Sequence, residues 1–449
     1  MKNSGTGTNT QSLIQAIRSE GLVSQLGKVC GIHGLVIEAS GCKVQLGELV
    51  NVIQSRTGQS SLAEVVGLRG DKVLLMPYGA TDGLCLDSKI VPLKKPFGFP
   101  VSSKLLGTVV DPLGNILDNA SAFESSREVR TKSEPINPMV REPIDKKLNT
   151  GVKAIDIFTP LGKGQRIGIF AGSGVGKSTL LGMISRYTSA DVIVIALVGE
   201  RGREVGEFVT DILGVDGRKR AVLVAATAGD TAVMRRQAAY SATALAEWYR
   251  ESGKDVLLIL DSITRFAMAQ REIGIAIGEP VGSRGYPPSV FALMPPLLER
   301  PGSIKGEGSI TAVYTVLVEG DDFNEPISDH VRSILDGHIV LSRELAEQGL
   351  YPSIDILSSV SRLQGKLMTA EQQKAVAALR SVYGNYVKSA DLIDLGLYKK
   401  GNSRKTDLAI SMNDTIRRLL SQTPEEFPDP EGVWKQVMAI AEKADHGNQ

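Results

Sequence analysis

The stretch from Ala171 to Thr179, with the letters AGSGVGKST, has the residue types and spacing of a phosphate-binding loop. An apolar run leads into it and a helical pattern follows. Glycines at alternate positions let consecutive backbone N–H groups turn toward an anion at a helix N-terminus. The predicted nucleotide-binding residues are Gly172, Ser173, Gly174, Val175, Gly176, Lys177, Ser178 and Thr179. A glycine turn with an accidental lysine is the alternative, and the flanking strand and helix argue against it.

Two side chains of this loop have defined tasks in the G-x-x-x-x-G-K-[ST] pattern. Lys177 would reach the β- and γ-phosphates of a nucleotide, and the hydroxyl of Ser178 would bind Mg²⁺. Ala171 stands where that pattern has its first glycine, which leaves the chemistry of the other positions unchanged. The sequence therefore predicts that a nucleoside triphosphate and Mg²⁺ bind here.

Two carboxylates follow apolar runs and could complete the site. Asp261 ends the run DVLLILD, where it could hold Mg²⁺ through water at the carboxyl end of a strand. Glu200 follows another apolar run and could orient and deprotonate an attacking water molecule. Arg201 or Arg265 could neutralise phosphate oxygens. For Glu200 a helix cap among surface ion pairs remains the alternative.

Composition limits the class of protein. A chain of 449 residues with 42% hydrophobic and 22% charged residues is typical of about three globular domains. The net charge of +1 gives no overall basic character of the kind that nucleic-acid binders show. The three cysteines, Cys30, Cys42 and Cys85, lack C-x-x-C spacing and are predicted to be reduced core residues. With scattered histidines, short apolar runs and no signal-peptide pattern, a cytoplasmic protein without a dedicated metal cluster is expected.

The elements that must position these residues fall into three groups. Short glycine-punctuated β-runs between Leu22 and Leu93 predict a small barrel. A turn-rich and proline-rich stretch from Asp111 to Lys147 predicts a linker laid over a surface. Alternating strands and helices then predict an α/β core with a mainly parallel sheet covered on both faces. The predicted strands are Arg166–Ala171, Asp191–Gly199, Ala221–Ala226, Val256–Asp261 and Ser309–Val318, with a helix at Thr231–Glu251.

The C-terminal part of the sequence is helical in pattern. The predicted helices are Thr369–Lys388, Thr406–Ser421 and Gly432–Lys443. At the other end, Leu13, Ile14, Ile17 and Leu22 could form one apolar face of a short helix, with a frayed terminus as the alternative. The predicted domains are residues 1–21 (tail and short helix), 22–95 (barrel), 96–367 (nucleotide-binding core) and 368–449 (helical domain).

Several long motifs together resemble the ATPases of type III protein export, which serve flagellar assembly and injectisome secretion and are related to rotary ATP synthase catalytic subunits. The motifs are AGSGVGKST, VGERGREV, LLILDSITRFAMAQREIG, GSRGYPPSVF, GSITAVYTVLVEGDD, ILDGHIVLSRELAEQGLYPSIDILSSVSR and GLYKKG. The resemblance covers roughly residues 22–419 and implies a β-barrel, a RecA-like P-loop core and a helical C-terminal domain. It also implies Mg²⁺-dependent ATP hydrolysis.

The resemblance assigns roles to individual residues. It implies that Glu200 is the catalytic carboxylate, that Arg201 and Arg265 surround the γ-phosphate, and that Glu204 and Asp261 organise the water shell of the metal. It places Tyr351 against adenine with Tyr398 opposite, and core packing is the alternative for both tyrosines. Arg362 falls in a region that the resemblance assigns to the subunit boundary, where an arginine finger would reach the neighbouring γ-phosphate. A structural ion pair is its alternative.

The resemblance also implies a set of partners. These are five further copies in a homohexamer, a coiled-coil stalk protein in the central pore, a regulatory or stator-like protein at the N-terminus, an export-gate membrane protein, and secretion chaperones with their substrates. The glycine-rich and proline-rich segment Glu272–Pro288 is predicted to form a loop near the central channel. No nucleic acid is expected, and the protein would be cytoplasmic with peripheral contact to the inner membrane.

Three other functions share parts of this pattern. A non-hydrolysing regulatory nucleotide binder is the first, and such proteins lack a carboxylate at the position of Glu200. The presence of Glu200 in this chain therefore argues against that function. A hexameric RNA translocase would need exposed aromatic side chains among basic residues, and aromatics make up only 5% of the chain. A rotary synthase β-type subunit is closer, and the segment GYPPSVFALMPPLLERPG together with Ser178 favours export by resemblance.

Overall fold

The computed structural model of the chain describes residues 25–118, 125, 127–318, 320 and 322–448. They divide into two compact units. The first comprises the chain up to Phe97 together with Ala276–Gly278, and the second comprises the rest. The expected tail and short helix over residues 1–21 lie outside the described residues. In the described ranges no helix combines the length and apolar character needed to cross a bilayer.

The first unit contains a closed six-stranded antiparallel barrel with the strand order β1-β2-β5-β4-β3-β6. Its strands are β1 (Gly27–His33), β2 (Val36–Ser40), β3 (Glu48–Ile53), β4 (Ser60–Arg69), β5 (Lys72–Pro77) and β6 (Lys89–Pro96). Alternate aliphatic side chains such as Val50, Val65 and Leu75 point inward and are fully buried. The predicted barrel is confirmed.

The cysteines differ from the prediction that they are core residues. All three are free thiols, but Cys30 is exposed, and Cys42 and Cys85 are half-buried. In β1 the side chain of Val29 points into the barrel and is buried. Because side chains alternate along a strand, Cys30 points outward.

The second unit is built on one large sheet with the strand order β19-β18-β12-β17-β15-β13-β14-β8. Its strands are β8 (Val109–Val110), β12 (Arg166–Ala171), β13 (Val192–Glu200), β14 (Ala221–Thr227), β15 (Asp255–Asp261), β17 (Ser309–Leu317), β18 (Gly337–Leu341) and β19 (Ile354–Ser361). Neighbouring strands are parallel except β19, which runs antiparallel to β18. All five predicted strands are confirmed to within two residues.

Short strands and helices complete the nucleotide-binding core. The short strands are β7 (Gly98–Val101), β9 (Arg127–Arg130), β10 (Lys147–Leu148), β11 (Leu161–Gly162) and β16 (Gly302–Ser303). The helices are α1 (Lys153–Phe158), α2 (Lys177–Tyr187), α3 (Gly202–Glu207), α4 (Gly214–Lys219), α5 (Ala232–Glu251), α6 (Ile263–Ala276), α7 (Pro288–Leu298), α8 (Pro326–Ile334), α9 (Arg343–Glu347) and α10 (Gln364–Leu367). The alternate residues Ile193, Ile195 and Leu197 of β13 share a core with α2, whereas α5 packs on β13, β14 and β15. Helices therefore cover the sheet, as predicted.

The C-terminal helices are α11 (Ala370–Asp394), α12 (Arg404–Leu420) and α13 (Pro430–Asn448). Thr369 and Gln372 form a reciprocal capping box that begins α11, and the hydroxyl of Ser403 caps α12. Apolar residues of these helices, including Leu379, Ile416 and Val437, belong to the same hydrophobic core as the sheet. The helical C-terminal domain is confirmed, with α11 and α13 each extending beyond the predicted end.

Two loop predictions need correction. The segment Glu272–Pro288 is a loop only after Ala276, because α6 continues to that residue. Ile273 and Gly274, in the last turns of α6, are buried. The stretch Asp111–Lys147 is more than a linker, since it contributes β9, which pairs with β7. Polar composition concealed this short strand, whose side chains are mostly exposed.

Candidate active site

The phosphate-binding loop connects β12 to α2. Gly174 and Gly176 have φ angles of +80° and +87°, a left-handed conformation that side-chain-bearing residues rarely adopt. This conformation lets the loop turn so that α2 begins at Lys177 with its free N–H groups at the loop. Ser178 and Thr179, in the first turn of α2, are exposed. The loop therefore has the geometry of an anion cradle.

The charged side chains meet at the carboxyl ends of three strands of the sheet. Lys177 follows β12, Asp261 ends β15 and Glu200 ends β13. The ammonium Nζ of Lys177 lies 2.5 Å from Asp261 Oδ1 and 3.5 Å from Glu200 Oε1. Lys177 thus bridges both predicted carboxylates, which are 61 residues apart along the chain, at positions 200 and 261. Parallel strands make this possible because their carboxyl ends meet at one edge of the sheet.

Burial and charge shift the pKa values in this cluster. Burial raises the pKa of Glu200 to about 7; Lys177 opposes this rise, whereas the Asp261 charge and a hydrogen bond with Glu204 add to it. Burial lowers the pKa of Lys177, but Asp261 and Glu200 outweigh that effect, so its pKa is raised overall. The lysine is therefore held as a cation, and Glu200 is poised to gain or lose a proton near neutral pH.

Two residues that sequence analysis missed hold the site in shape. The hydroxyl of Thr315, fully buried in β17, donates a hydrogen bond of 2.6 Å to Asp261 Oδ1. The hydroxyl of Ser353 donates a 2.7 Å bond to the carbonyl of Val175 in the loop. A hydroxyl inside the otherwise apolar end of β17 is the signal that could have identified Thr315.

The predicted arginines occupy different surroundings. Arg201 precedes α3 and its exposed guanidinium pairs with Glu204 at 3.3 Å. Arg265 lies in α6 with its side chain against Gly199, the residue before Glu200. Its Nε atom is buried, and the described residues provide that atom with no hydrogen-bond partner. Arg265 can therefore donate to an anionic oxygen near Glu200.

The two predicted tyrosines differ in position. Tyr351 is 46% exposed, and its ring faces the loop at Gly176, where an added Cβ atom would lie 3.6 Å from it. The hydroxyl of Tyr398 donates to the carbonyl of Ser403 at 2.9 Å and to Asp407 Oδ1 in the first turn of α12 at 3.0 Å. Tyr351 is thus beside the phosphate loop, while the bonds of Tyr398 are to the start of α12.

Arg362 lies near the start of β12, at the end of the strand opposite to the phosphate loop. Its N–H donates to the carbonyl of Asp336, whose own N–H donates to the carbonyl of Arg166 at the start of β12. The side chain of Arg362 is exposed. Lys177 follows the other end of β12, a six-residue strand that spans roughly 16 Å between its first and last Cα atoms at about 3.3 Å per residue. Arg362 therefore stands apart from the phosphate loop of its own chain.

The residues present suit a nucleoside triphosphate with Mg²⁺. The left-handed glycines form the cradle, Arg265 has an orphaned donor, and Ser178 with Asp261 supplies hard oxygen ligands. Among the described residues no group of three or more His, Cys, Asp or Glu side chains could hold a metal.

Family models match all three parts of the chain. Residues 151–361 match the nucleotide-binding domain of the ATP synthase alpha/beta family, and residues 29–94 match its beta-barrel domain. Residues 368–439 match the T3SS EscN ATPase C-terminal domain. The flagellum-specific ATP synthase of Bacillus subtilis is 47% identical over 418 residues, 93% of this chain and 95% of the relative. The type 3 secretion system ATPase of Xanthomonas euvesicatoria is 44% identical over 93% of this chain and 94% of its own length.

The chain belongs to the type III protein export ATPase family. Among solved structures, this export ATPase resembles the assembled ATPase EscN from enteropathogenic E. coli with a TM-score of 0.88 and 42% identity, covering 92% of this chain and 100% of the chain in that structure. EscN in complex with its central stalk EscO gives a TM-score of 0.85 and 41% identity over 92% of this chain and 100% of that chain. The predicted resemblance, fold class and ATPase activity are confirmed.

Proposed function

We propose that the chain is the ATP-hydrolysing motor subunit of a flagellar or virulence type III export apparatus, coupling hydrolysis to release and unfolding of secreted substrates and their chaperones. The observation that carries this proposal is the junction of Lys177, Glu200 and Asp261 at the phosphate loop. The match of the C-terminal helices to the EscN type favours export over a rotary synthase subunit.

Hydrolysis follows from a change of partner at Lys177. The γ-phosphate of ATP competes for the ammonium group that Asp261 and Glu200 share, so binding frees Glu200 to accept a hydrogen bond from water. The oxygen of that water attacks the γ-phosphorus while Glu200 takes a proton from the water. The bond from the γ-phosphorus to the β,γ-bridging oxygen breaks, and ADP leaves. Arg265, and Arg201 after leaving Glu204, neutralise the phosphate oxygens.

The loop also binds the rest of the nucleotide. Backbone N–H groups between Gly172 and Thr179 hold the phosphates, and the ring of Tyr351 stacks on adenine beside Gly176. Tyr398 would have to give up its bonds to Ser403 and Asp407 to reach the base, so we assign adenine chiefly to Tyr351. The hydroxyl of Ser178, with Asp261 and Glu204 acting through water, would hold Mg²⁺, which would supply charge neutralisation.

We further propose that the protein works as a homohexamer around a coiled-coil stalk. EscN is described as an assembled ATPase and as a complex with a central stalk, at over 40% identity to this chain. The segment after Ala276, up to the start of α7, would meet the stalk. The other expected partners are a regulatory protein at the N-terminus, an export-gate membrane protein, and secretion chaperones with substrates. Such partners would hold the protein in the cytoplasm at the inner membrane.

Two substitutions test the catalytic assignment. Lys177→Ala removes the cation that holds the phosphates and is expected to lose nucleotide binding. Glu200→Gln keeps the cradle and removes the base, so it should bind ATP normally and lose turnover. Fluorescent-nucleotide titration and phosphate release measure the two properties separately. Full turnover in Glu200→Gln would overturn the catalytic role of Glu200.

A further inference from the structure

A cavity of about 250 Å³ lies between the nucleotide-binding core and the C-terminal helices, outside the active site. Four stretches of chain form its walls. These are the segment 147–153, the residues Asp156 and Ile157 of α1, the segment 187–189 at the end of α2, and the segment 427–434 that enters α13. The cavity therefore touches both the far end of the phosphate-loop helix and the C-terminal domain.

Hydrogen bonds hold the C-terminal wall in place. The side chain of Gln422 accepts from the N–H of Lys153 at 2.8 Å and donates to the carbonyl of Gly151 at 2.8 Å. The carbonyl of Pro424 accepts from Tyr187 Oη at 2.9 Å. The ammonium of Lys153 pairs with Glu426 at 2.9 Å. Because these bonds fix the segment before Phe427 to the core, the cavity is formed in advance of any ligand.

Aromatic rings line the cavity. Tyr187 and Phe427 pack with ring centroids 5.2 Å apart, and Trp434 forms the wall on the α13 side. Ile157 and Val433 add aliphatic surface. Phe427 is 65% exposed although it is a large apolar side chain at the rim. Such a lining of aromatic and aliphatic groups with few polar atoms is typical of small-molecule sites.

One cation in the wall has donors to spare. The carboxylate of Asp156 accepts hydrogen bonds from the N–H and hydroxyl of Thr150 and from the N–H of Gly151. Lys147 Nζ donates a 3.0 Å bond to the backbone carbonyl of Asp156 and lies 5.5 Å from the centre of the Trp434 ring. An ammonium group has three donors, so Lys147 can offer further hydrogen bonds to a ligand lying on the aromatic wall.

We propose that this cavity binds a small aromatic carboxylate of one or two rings. The ring lies among Tyr187, Phe427 and Trp434, and the carboxylate accepts hydrogen bonds from Lys147. This site goes beyond the proposed function and does not depend on it. Since the ligand contacts the core and the C-terminal helices at once, its binding stabilises the folded protein.

Tryptophan fluorescence provides a direct test. The chain has two tryptophans, Trp248 and Trp434, so Trp248→Phe leaves the cavity residue as the sole reporter. In this background, 4-iodobenzoate is expected to quench Trp434 saturably and to raise the melting temperature. Neutral 4-iodobenzamide should bind about tenfold more weakly, because hydrogen bonds between two charged groups are stronger than hydrogen bonds to a neutral group. Lys147→Met should abolish the preference for the acid.

A second variant keeps the test decisive if Lys147→Met is poorly folded. Val433→Phe fills the cavity without changing its charge and should eliminate saturable quenching by both compounds. Equal, non-saturating quenching by acid and amide in the Trp248→Phe protein would overturn the proposal. So would saturable binding that Val433→Phe leaves unchanged.

Discussion

At the scale of single residues, the bonding of Asp261 decides how the metal side of the site is presented. Its Oδ1 atom accepts from both Lys177 and Thr315, at 2.5 and 2.6 Å. These two bonds orient one carboxylate oxygen and so fix the direction of the other. Thr315 reaches Asp261 because β17 is the strand next to β15, and Leu260 is paired with Tyr314. The hydroxyl of Thr315 therefore positions the carboxylate that we propose to hold Mg²⁺ through water.

Thr315→Val should weaken the binding of Mg²⁺ at the site without abolishing the fold. The substitution keeps the shape and removes a buried hydrogen bond to a carboxylate, a loss of about 1–3 kcal/mol. We expect the Mg²⁺ concentration for half-maximal ATPase activity to rise about tenfold, and the urea midpoint of the metal-free protein to fall. Thr315→Ser, which retains the hydroxyl, is the matched control. Unchanged Mg²⁺ dependence in Thr315→Val would contradict the positioning role.

The raised pKa of Glu200 predicts an acidic limb in the activity profile. Burial, Asp261 and Glu204 bring its pKa to about 7 against the influence of Lys177. A carboxylate serves as a base only when deprotonated, so kcat/KM should fall as the pH drops below about 7. Glu204→Gln removes a negative neighbour and should move that limb to lower pH. A limb that stays in place in this variant would contradict the proposed coupling of the two carboxylates.

At the scale of elements, the segment between α12 and α13 links the C-terminal helices to the core. Gln422 is buried and bonds to Lys153, Gly151 and the carbonyl of Glu426. Among the described residues no strand pairing holds this segment. The amide of Gln422 attaches it to the core together with the bonds that Arg186 and Tyr187 donate to the carbonyl of Pro424. The side chain of Gln422 thereby connects this segment to the loop before α1, and the chain continues from α1 to β12 and the phosphate loop.

Gln422→Ala should therefore destabilise the protein through the interface of the C-terminal helices and the core. Leaving the buried N–H of Lys153 and the carbonyl of Gly151 without partners costs about 1–3 kcal/mol for each group. We expect a lower urea midpoint and faster proteolysis between α12 and α13. Glu425→Ala, at an exposed position of the same segment, is the matched control. Equal stability of the two variants would rule out this anchoring role.

At the scale of the whole molecule, the position of Arg362 concerns assembly. In the sheet, β19 runs antiparallel to β18, so its end carries Arg362 to the edge where β12 begins. The phosphate loop follows the opposite end of β12. An exposed guanidinium so far from its own phosphate loop is suited to reaching the nucleotide of another copy. We therefore retain the prediction that Arg362 acts as an arginine finger in trans.

A mixing experiment tests this prediction. Arg362→Ala should still bind ATP but lose about 10³–10⁵ in turnover, as arginine fingers contribute that much. Activity of the unmodified protein should rise cooperatively with its concentration. Arg362→Ala and Glu200→Gln subunits, each inactive alone, should regain activity together, because some interfaces then pair an intact Glu200 with an intact Arg362. Mixed rings that remain inactive would exclude action in trans.

The sequence alone was sufficient for features that depend on neighbours along the chain. The glycine spacing around Lys177 predicts the anion cradle, because a left-handed turn before a helix is a local property. Apolar runs that end in Glu200 and Asp261 predict buried parallel strands with charged ends, since burial on both faces requires continuous aliphatic residues. The helical C-terminal pattern likewise predicts α11, α12 and α13, although not how far they extend.

Tertiary structure alone decided the features that depend on distant residues becoming neighbours. Thr315 contacts Asp261, and Ser353 contacts Val175, only because the strand order places β17 beside β15 and brings the start of β19 to the loop. Local patterns also missed the outward-facing Cys30 and the continuation of α6 to Ala276. Strand order, barrel register and packing of α13 against the core arise from burial summed over the whole chain, which no short window of sequence contains.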